Sequence, residues 1–234
     1  MRIGIIGAGM IGSTLARRLT ALGHTVAIAN SRGPETLRDL AAETGAQPVT
    51  VAEAARNVEM VVIAVPERAV PDLPSDLFSG VADSVIVIDA GNYYPSRDGS
   101  LAAIEAGETE SGWVAAVLGR PVIKAFNTIY FKNLLEKGAP PGTPGRLAVP
   151  VAGDRPEARD RVLRLIDELG FDAVDAGGLQ ASWRQQPGTP CYGKELDTAR
   201  LRQALAAAEQ SRIAEYRKAA DDAARAHFTS RPPR

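Results

Sequence analysis

The stretch Ile3–Gly12, which reads IGIIGAGMIG, decides the fold of this chain because an apolar run breaks into the pattern G-x-G-x-x-G. The run predicts a buried β-strand, and the residues after it have the spacing of an amphipathic helix. Gly7 permits a sharp turn, Gly9 leaves room for a pyrophosphate, and Gly12 lets the helix pack closely on the strand. A second apolar run, Thr25–Ala29, completes the strand–helix–strand unit in which this pattern binds a dinucleotide.

Composition sets broad limits on function. The chain has 234 residues, 45% of them hydrophobic and 24% charged, which is typical of one globular domain or of one with an appendage. A formal net charge of −1 gives no general attraction to nucleic acid or to anionic membranes. No apolar run approaches the ~18 residues of a membrane span, and a strand that starts at the second residue leaves no room for a signal peptide. We therefore expect a cytoplasmic protein.

Metal catalysis and disulfides are not expected. Cys191 is the only cysteine, and the two histidines, His24 and His227, lie far apart in the sequence. His24 lies in a turn before the second strand, where a surface role is expected.

Strand-like and helical segments alternate along the chain. Pro34 and Gly45 are the start and stop signals of a helix over 34–44, and Gly107 and Gly112 predict that a helix over 101–118 is irregular. The segment 66–84 is interrupted by prolines, so only short helical turns are expected there. Further strands are predicted at 47–50, 60–65, 85–89, 121–126, 147–152 and 171–174, and further helices at 51–56, 130–137, 155–169 and about 196–227.

This alternation predicts an α/β fold, a Rossmann-type doubly wound parallel sheet followed by a small α/β and helical C-terminal extension. We expect a dinucleotide-binding domain over residues 1–128 and the extension over 129–234. The loop Gly138–Gly145 is too rich in Pro and Gly for regular structure and is the best candidate for a mobile segment.

The final helix is predicted to be long and rich in alanine. Leu201, Leu205, Ala208 and Ile213 would lie along one stripe of it. Packing on the protein's own sheet and contact with a second copy in a homodimer explain this stripe equally well.

Ligands of a doubly wound sheet bind at the carboxyl ends of its strands. Lys124 is notable there, because a lysine inside an apolar strand must find a partner or bind an anion, such as a phosphate or carboxylate of a ligand. We interpret Asp89, at the end of another strand, as a capping carboxylate. Other acid–base groups are few, which favours hydride transfer directly between two redox cofactors. The residues that follow strands are the Gly7 turn, Asn30, Ser31, Arg32, Ala64, Val65, Pro66, Asn92 and residues 124–128, including Asn127.

The end of the second strand predicts NADP in preference to NAD. An NAD site usually has Asp or Glu there to bind the ribose 2′-hydroxyl, whereas this chain has Asn30 followed by Ser31 and Arg32. Ser31 can donate a hydrogen bond to a 2′-phosphate, and the planar guanidinium of Arg32 can bind its oxygens or stack on the adenine.

Short motifs in a particular order resemble the family of coenzyme F420-dependent NADP oxidoreductases, over nearly the whole chain up to about residue 180. The element Lys124–Thr128 is also similar to the reductase domain of the six-transmembrane metalloreductases, which passes hydride from NADPH to a flavin. The motifs are Gly7-Ala8-Gly9-Met10-Ile11-Gly12, Asn30-Ser31-Arg32, Ala64-Val65-Pro66, Ile88-Asp89-Ala90-Gly91-Asn92, Lys124-Ala125-Phe126-Asn127 and Asp175-Ala176-Gly177-Gly178-Leu179.

The resemblance implies hydride transfer between NADP(H) and a deazaflavin, coenzyme F420, or a flavin such as FMN or FAD. The two cofactors would stack in a cleft between the dinucleotide domain and the C-terminal part. Residues 7–12, Asn30 to Arg32, Ala64 to Pro66 and Asn92 are then expected to bind NADP.

The acceptor side is less defined, because Ser182–Pro190 does not match the deazaflavin enzymes. We expect Lys124, Asn127, Trp183 and Arg184 to position the acceptor. Lys124, Arg184 and Arg97 are predicted to line the entrance for an anionic second cofactor, the alternative being that the two arginines are ordinary surface charges.

Two other functions stay open. One is an NADPH-dependent reductase of a small carbonyl or imine, although such enzymes usually add a large all-helical domain after the first. The other is a non-catalytic NADP-sensing module whose final helix binds a partner. A nicotinamide cleft filled by the side chains of Trp183 and Tyr93 would favour the sensor.

Overall fold

The computed structural model describes residues 1–229. Its main sheet has six strands in the order β3-β2-β1-β4-β5-β6, and every neighbouring pair is parallel. The chain runs outward from β1 to β3 and then continues on the other side of β1, so the order reverses between β1 and β4. This is the predicted doubly wound Rossmann-type sheet. The strands are β1 (Arg2–Ile6), β2 (Thr25–Ala29), β3 (Gln47–Pro48), β4 (Met60–Ile63), β5 (Ile86–Asp89) and β6 (Val122–Lys124).

The central strands are buried on both faces. All four residues of β4 and of β5 are buried, as expected for a parallel sheet covered by helices on both sides. In the register, Ile6 pairs with Ile63, Ile63 with Asp89, and Asp89 with Lys124. Asp89 and Lys124 are therefore neighbours at the carboxyl edge.

The helices agree with the predicted segments, except that the short helix α4 (Pro95–Asp98) was not predicted and the predicted final helix is divided in two. The segment 101–118 is indeed irregular, because the chain breaks between α5 and α6, where Gly107 has a φ of +111°. A 3₁₀ turn over Pro34–Leu37 precedes α2, and another covers Glu67–Ala69 in the proline-interrupted segment. The helices are α1 (Met10–Ala21), α2 (Arg38–Thr44), α3 (Val51–Ala54), α4 (Pro95–Asp98), α5 (Ala102–Glu105), α6 (Glu110–Leu118), α7 (Phe131–Glu136), α8 (Pro156–Glu168), α9 (Thr198–Ala206) and α10 (Ile213–Thr229).

The single long helix predicted over 196–227 is wrong. The chain leaves the helix after Ala206, passes through a 3₁₀ turn over Gln210–Arg212 and resumes as α10. The proposed stripe is therefore divided, since Ala208 lies in the break. The two helices pack on different elements: α9 lies against the second sheet and α10 against α4. Asp221 of α10 accepts hydrogen bonds from Ser96 of α4, at 2.9 Å from its backbone amide and 2.7 Å from its hydroxyl.

The C-terminal extension packs on the main core. Its strands β7 (Ala148–Val151) and β8 (Asp172–Asp175) form a parallel pair connected by α8. An isolated antiparallel bridge joins Lys124 of β6 to Ala152, and α8 buries Val162 and Ile166 in the same apolar cluster as β1 and β4. A 3₁₀ segment, Leu179–Gln185, then packs against β6 and α6.

Leu201 and Leu205 of α9 are buried with Val174 of β8 and with Cys191. This part of the predicted stripe packs on the protein's own sheet. Within residues 1–229, no helix combines the length and the apolar character that crossing a membrane requires.

Candidate functional site

The glycine turn between β1 and α1 is shaped by its own close contacts. A Cβ on Gly7, whose φ is +110°, would lie 2.3 Å from the carbonyl oxygen of Ala64, and a Cβ on Gly12 would lie 1.8 Å from that of Gly7. A Cβ on Gly9 would meet nothing within 4 Å. Gly7 and Gly12 are thus required by packing, whereas Gly9 borders open space.

Gly9 is also the N-cap of α1, and no side chain caps the helix. The first amides of α1 therefore lack the side-chain acceptor that often satisfies them. An open cradle at such a helix N-terminus fits a pyrophosphate. Met10, 37% exposed, and the half-buried Ile11 form the first turn beside this cradle.

At the end of β2, Asn30 shapes the loop that follows. Its Oδ1 accepts a hydrogen bond from the Arg32 amide at 2.9 Å, and its Nδ2 donates to Thr36 Oγ1 at 2.9 Å. Ser31 and Arg32 are exposed, and within residues 1–229 the Arg32 guanidinium has no hydrogen-bond or ion-pair partner. Asn30 thus orders the loop while the Arg32 side chain stays available to a ligand.

The loop after β2 also contains an acidic residue, Glu35. The Glu35 carboxylate lies against Gly33, where a Cβ would be only 2.5 Å from Glu35 Oε1. Glu35 lies in the 3₁₀ turn before α2. The pattern that distinguishes NAD from NADP sites concerns the residue at the end of β2, so it does not include this position. A 2′-phosphate in this loop would meet Arg32 and Ser31 but also one negative charge.

Ala64, Val65 and Pro66 follow β4 and are half-buried beside the glycine turn. Val65 Cγ1 would lie 3.1 Å from a Cβ on Gly7. These residues thus form the wall opposite α1 at the switch in strand order, where dinucleotides bind in this fold.

Three amide side chains connect β5, β6 and the 3₁₀ segment. Asn127 Nδ2 donates to Asn92 Oδ1 at 3.1 Å and to the Gln185 carbonyl at 2.7 Å. Asn92 Nδ2 returns a bond to the Asn127 carbonyl at 3.1 Å, and Gln185 Nε2 donates to Asn127 Oδ1 at 3.0 Å. We call Asn92, Asn127 and Gln185 the amide layer. Gln185 was not among the residues expected from the sequence, because nothing local marks it.

A strained residue precedes Asn127. Phe126 is 1% exposed and has a φ of +65°, which is unusual for a bulky side chain. Such backbone strain persists only where the surroundings enforce it, and it is common at functional sites. Here it directs Asn127 into the amide layer.

Lys124 does not line an entrance. Its side chain is fully buried, and Nζ donates to Asp89 Oδ2 at 3.0 Å and to the Gly91 carbonyl at 2.8 Å. Asp89 also accepts from Ser111 Oγ at 2.6 Å and from the Gly91 amide at 2.9 Å. The lysine therefore has a protein partner in place of the expected ligand anion, and Asp89 is half of a buried ion pair as well as a capping group.

Two further carboxyl groups lie close to this pair, and sequence reasoning missed both. Glu67 and Glu110 are 0% and 1% exposed, and Glu110 Oε2 lies 3.9 Å from Lys124 Nζ. Burial raises the pKa of Glu67 well above its ordinary value, with a further contribution from Asp89. Burial likewise raises the pKa of Glu110 to about 7, against the attraction of Lys124. Glu67 directly follows Pro66 after β4, which is the one signal that could have identified it.

The predicted acceptor-side residues are less exposed than expected. Arg97 is half-buried, and its guanidinium donates to Asp98 and to the Asn92 carbonyl. It also lies over the ring of Tyr94, 5.3 Å from the centroid. Arg97 is therefore neither an ordinary surface charge nor free to bind an anion.

Trp183 is 7% exposed, and the half-buried Arg184 stacks on its ring at 4.6 Å. Tyr93 is fully buried, with its hydroxyl 2.8 Å from both the Gly99 carbonyl and Glu105 Oε1. Tyr93 thus belongs to the α4–α5 region. Arg184 is the predicted acceptor-side cation whose guanidinium has no hydrogen-bond or ion-pair partner within residues 1–229. In the part of the chain that the structure describes, no group of three or more His, Cys, Asp or Glu could hold a metal ion.

Comparisons with known proteins agree with this geometry. Residues 2–93 match the family described as NADP oxidoreductase, coenzyme F420-dependent. The Escherichia coli K12 protein YjhV is 44% identical over 71 residues, an alignment that covers 30% of this chain and 52% of YjhV. This chain therefore aligns with only about half the length of that curated relative.

Solved structures resemble more of the chain. A hypothetical protein from Sinorhizobium meliloti is 33% identical, with a TM-score of 0.68 over 83% of this chain and 93% of its own. A candidate F420-dependent NADP reductase from Arthrobacter sp. FB24 is 24% identical, with a TM-score of 0.64 over 79% and 87%. An imine reductase from Pseudomonas sp. shares the fold at 17% identity and a TM-score of 0.52, over 88% of this chain and 60% of its own.

The matched region contains β1, the glycine turn, the end of β2 and the wall after β4, which are the parts that would hold the nucleotide. Over residues 2–93 the chain belongs to the family of coenzyme F420-dependent NADP oxidoreductases.

Proposed function

We propose that this protein binds NADP(H) along the carboxyl edge of its main sheet and transfers hydride between that nucleotide and coenzyme F420. The observation that carries the proposal is the open cradle at Gly9 together with the exposed Ser31 and Arg32 at the end of β2. The first would suit the pyrophosphate and the second the 2′-phosphate of an NADP molecule that crosses the switch in strand order.

Each part of the site has a separate task. The uncapped amides at the start of α1 hold the pyrophosphate, and Arg32 binds the 2′-phosphate against the opposing charge of Glu35. The residues at the ends of β4, β5 and β6 would hold the nicotinamide end of the nucleotide. There the amide layer provides uncharged donors and acceptors that orient the ring.

Bound NADPH supplies the hydride, and the protein has to orient the two cofactors and exclude water. The ionisable groups of β5 and β6 suit this limited role, because Asp89 and Lys124 are buried and paired with each other. Neither is placed to attack a substrate, which favours direct transfer over a covalent intermediate.

F420 is proposed as the acceptor because the family description and the Arthrobacter protein's name both state it. Arg184, beside Trp183, is the side chain we assign to an anionic part of this acceptor.

The direct test is a steady-state assay in which NADPH is mixed with F420, and in separate reactions with FMN, FAD or a cyclic imine, under anaerobic conditions. The expected result is loss of the F420 absorbance that depends on enzyme and NADPH. Turnover with the imine alone would indicate an imine reductase, and turnover with FMN or FAD alone a flavin reductase. Tight NADPH binding without turnover of any acceptor would instead indicate a sensing module.

A further inference from the structure

Three buried carboxyl groups share one lysine at the carboxyl edge of the sheet. Glu67 follows β4, Asp89 ends β5, and Glu110 begins α6, while Lys124 ends β6. Lys124 Nζ is 3.0 Å from Asp89 Oδ2 and 3.9 Å from Glu110 Oε2, so the shorter of its two ion pairs is with Asp89. We call Glu67, Asp89, Glu110 and Lys124 the buried acid cluster.

Glu67 and Glu110 are the unsatisfied members of the buried acid cluster. Among the described residues none of their carboxyl oxygens has a hydrogen-bond partner, and both side chains are buried. Glu67 has a cation at 3.8 Å, Arg97 Nη2, but the same nitrogen lies 2.7 Å from Asp98 Oδ2. An ionised carboxylate in such a place is costly, so the cluster holds a proton under conditions in which exposed glutamates do not.

The charged groups that face Glu67 have opposing effects on its protonation. Asp89 from β5 and Glu110 from α6 favour its protonated form, whereas Lys124 from β6 and Arg97 from α4 oppose it. Burial is the largest contribution, and it raises the pKa of Glu67 well above its ordinary value; Glu110, similarly buried, has a pKa of about 7. Because the two glutamates interact, the apparent pKa values at which protons leave belong to the pair and not to either residue alone.

The buried acid cluster adjoins the amide layer through Gly91. The Glu67 carboxyl group is so close to Gly91 that a Cβ there would be 2.6 Å from Glu67 Oε1, and Gly91 adjoins Asn92 of the layer. A nicotinamide ring over the ends of β4 and β5 would be separated from the carboxyl group by little more than this backbone. The charge of the nicotinamide ring changes in the reaction, since the ring is neutral in NADPH and carries one positive charge in NADP⁺.

We propose that Glu67 and Glu110 share a proton that leaves for solvent when the bound nicotinamide is cationic, so that the protein binds NADP⁺ more tightly as pH rises while its affinity for NADPH changes little. The carboxyl O–H bond is the only bond that breaks, and no electrons move in the binding step. The negative charge left behind stabilises the positive ring. This inference rests on the proposed nucleotide site and not on the identity of the acceptor.

The test is to measure the dissociation constants of NADP⁺ and NADPH by calorimetry between about pH 6 and pH 8, around the values at which the pair titrates. The expected result is that the ratio of the NADP⁺ constant to the NADPH constant falls about tenfold over this range, within the usual span of coupling between two sites. Both nucleotides carry the same 2′-phosphate, so its own titration cancels in the ratio. Calorimetry in two buffers of different ionisation enthalpy should also show that NADP⁺ binding releases a proton and NADPH binding does not.

Glu67→Gln and Glu110→Gln are each expected to reduce the pH dependence of the ratio in this range, because either change removes one of the two carboxyl groups that share the proton. Glu108→Gln changes an exposed glutamate next to α6 and is the matched control. A ratio that is independent of pH in the unaltered protein, or one that both cluster variants retain, would overturn the inference. Failure to bind either nucleotide would instead overturn the proposed function.

Discussion

Arg32→Ala tests whether this protein selects NADP through the end of β2. The side chain is exposed and has no hydrogen-bond or ion-pair partner within residues 1–229, so its removal leaves the fold intact. A guanidinium that binds a phosphate makes charge-assisted hydrogen bonds, each worth about 1.5–3 kcal/mol. The exposed position and the nearby Glu35 place the expected loss at the lower end, and ~1.4 kcal/mol corresponds to tenfold in affinity. We therefore expect NADPH binding to weaken by roughly ten- to thirtyfold.

The assay is a fluorescence titration of NADPH and of NADH in parallel, at low and at high salt. NADH lacks the 2′-phosphate, so its dissociation constant should barely change. The NADPH effect should shrink at high salt, because the contact is exposed to solvent. Arg38→Ala, an exposed arginine in the first turn of α2, is the matched control and should change neither constant.

Substitution of the acidic residue in the same loop should have the opposite effect on NADPH binding. Glu35→Gln removes the charge that lies against Gly33, and it should tighten NADPH binding while leaving NADH unchanged. If Arg32→Ala weakens both nucleotides equally, Arg32 does not contact the 2′-phosphate and the argument for NADP from this strand end fails.

Five other substitutions test the remaining parts of the site. Gly9→Ala should keep the melting temperature but weaken NADPH binding, because a methyl group fits the space and obstructs the pyrophosphate. Gly12→Ala should lower the melting temperature, since its Cβ would overlap the backbone of the turn. Equal melting temperatures of the two variants would contradict this geometry. Lys124→Met leaves buried carboxylates without their cation and should cost about 3 kcal/mol in the free energy of unfolding, measured by urea denaturation; a neutral outcome would show that the pair is dispensable. The raised pKa of Glu110 means that the folded state holds a proton that the unfolded state releases, so its contribution to stability is complete below pH 4.5 and lost as pH rises to about 7; Glu110→Gln should flatten this decline, and an unchanged profile would refute the assignment. Arg184→Ala should raise the Michaelis constant for F420 and leave that for NADPH nearly unaltered, and an unchanged acceptor constant would remove Arg184 from the site.

Local sequence was sufficient for the first half of the fold. The apolar runs at β4 and β5 contain no alternation, which indicates strands buried on both faces, and the structure buries every residue of both. The glycine turn and the C-terminal end of α2 were equally predictable, because Gly7 and Gly45 adopt the positive φ that glycine tolerates.

The C-terminal helices show where local information ends. An alanine-rich segment has high helix propensity throughout, so it does not reveal that the chain stops packing on β8 and turns towards α4. The choice between packing partners depends on surfaces that only the folded protein brings together. This is why one long helix was expected where α9 and α10 are found.

The buried acid cluster is the clearest product of tertiary structure. The sequence showed that Lys124 needed a partner, but Asp89 lies 35 positions away and becomes its neighbour only through the register of β5 and β6. Glu67 and Glu110 look like ordinary surface glutamates until the helices and the 3₁₀ segment cover them. The sequence by itself determined which strands form the sheet and at which strand ends a nucleotide is expected to bind. Tertiary structure decided which charges are paired and which are left without a partner, because burial and electrostatic environment are properties of the assembled fold.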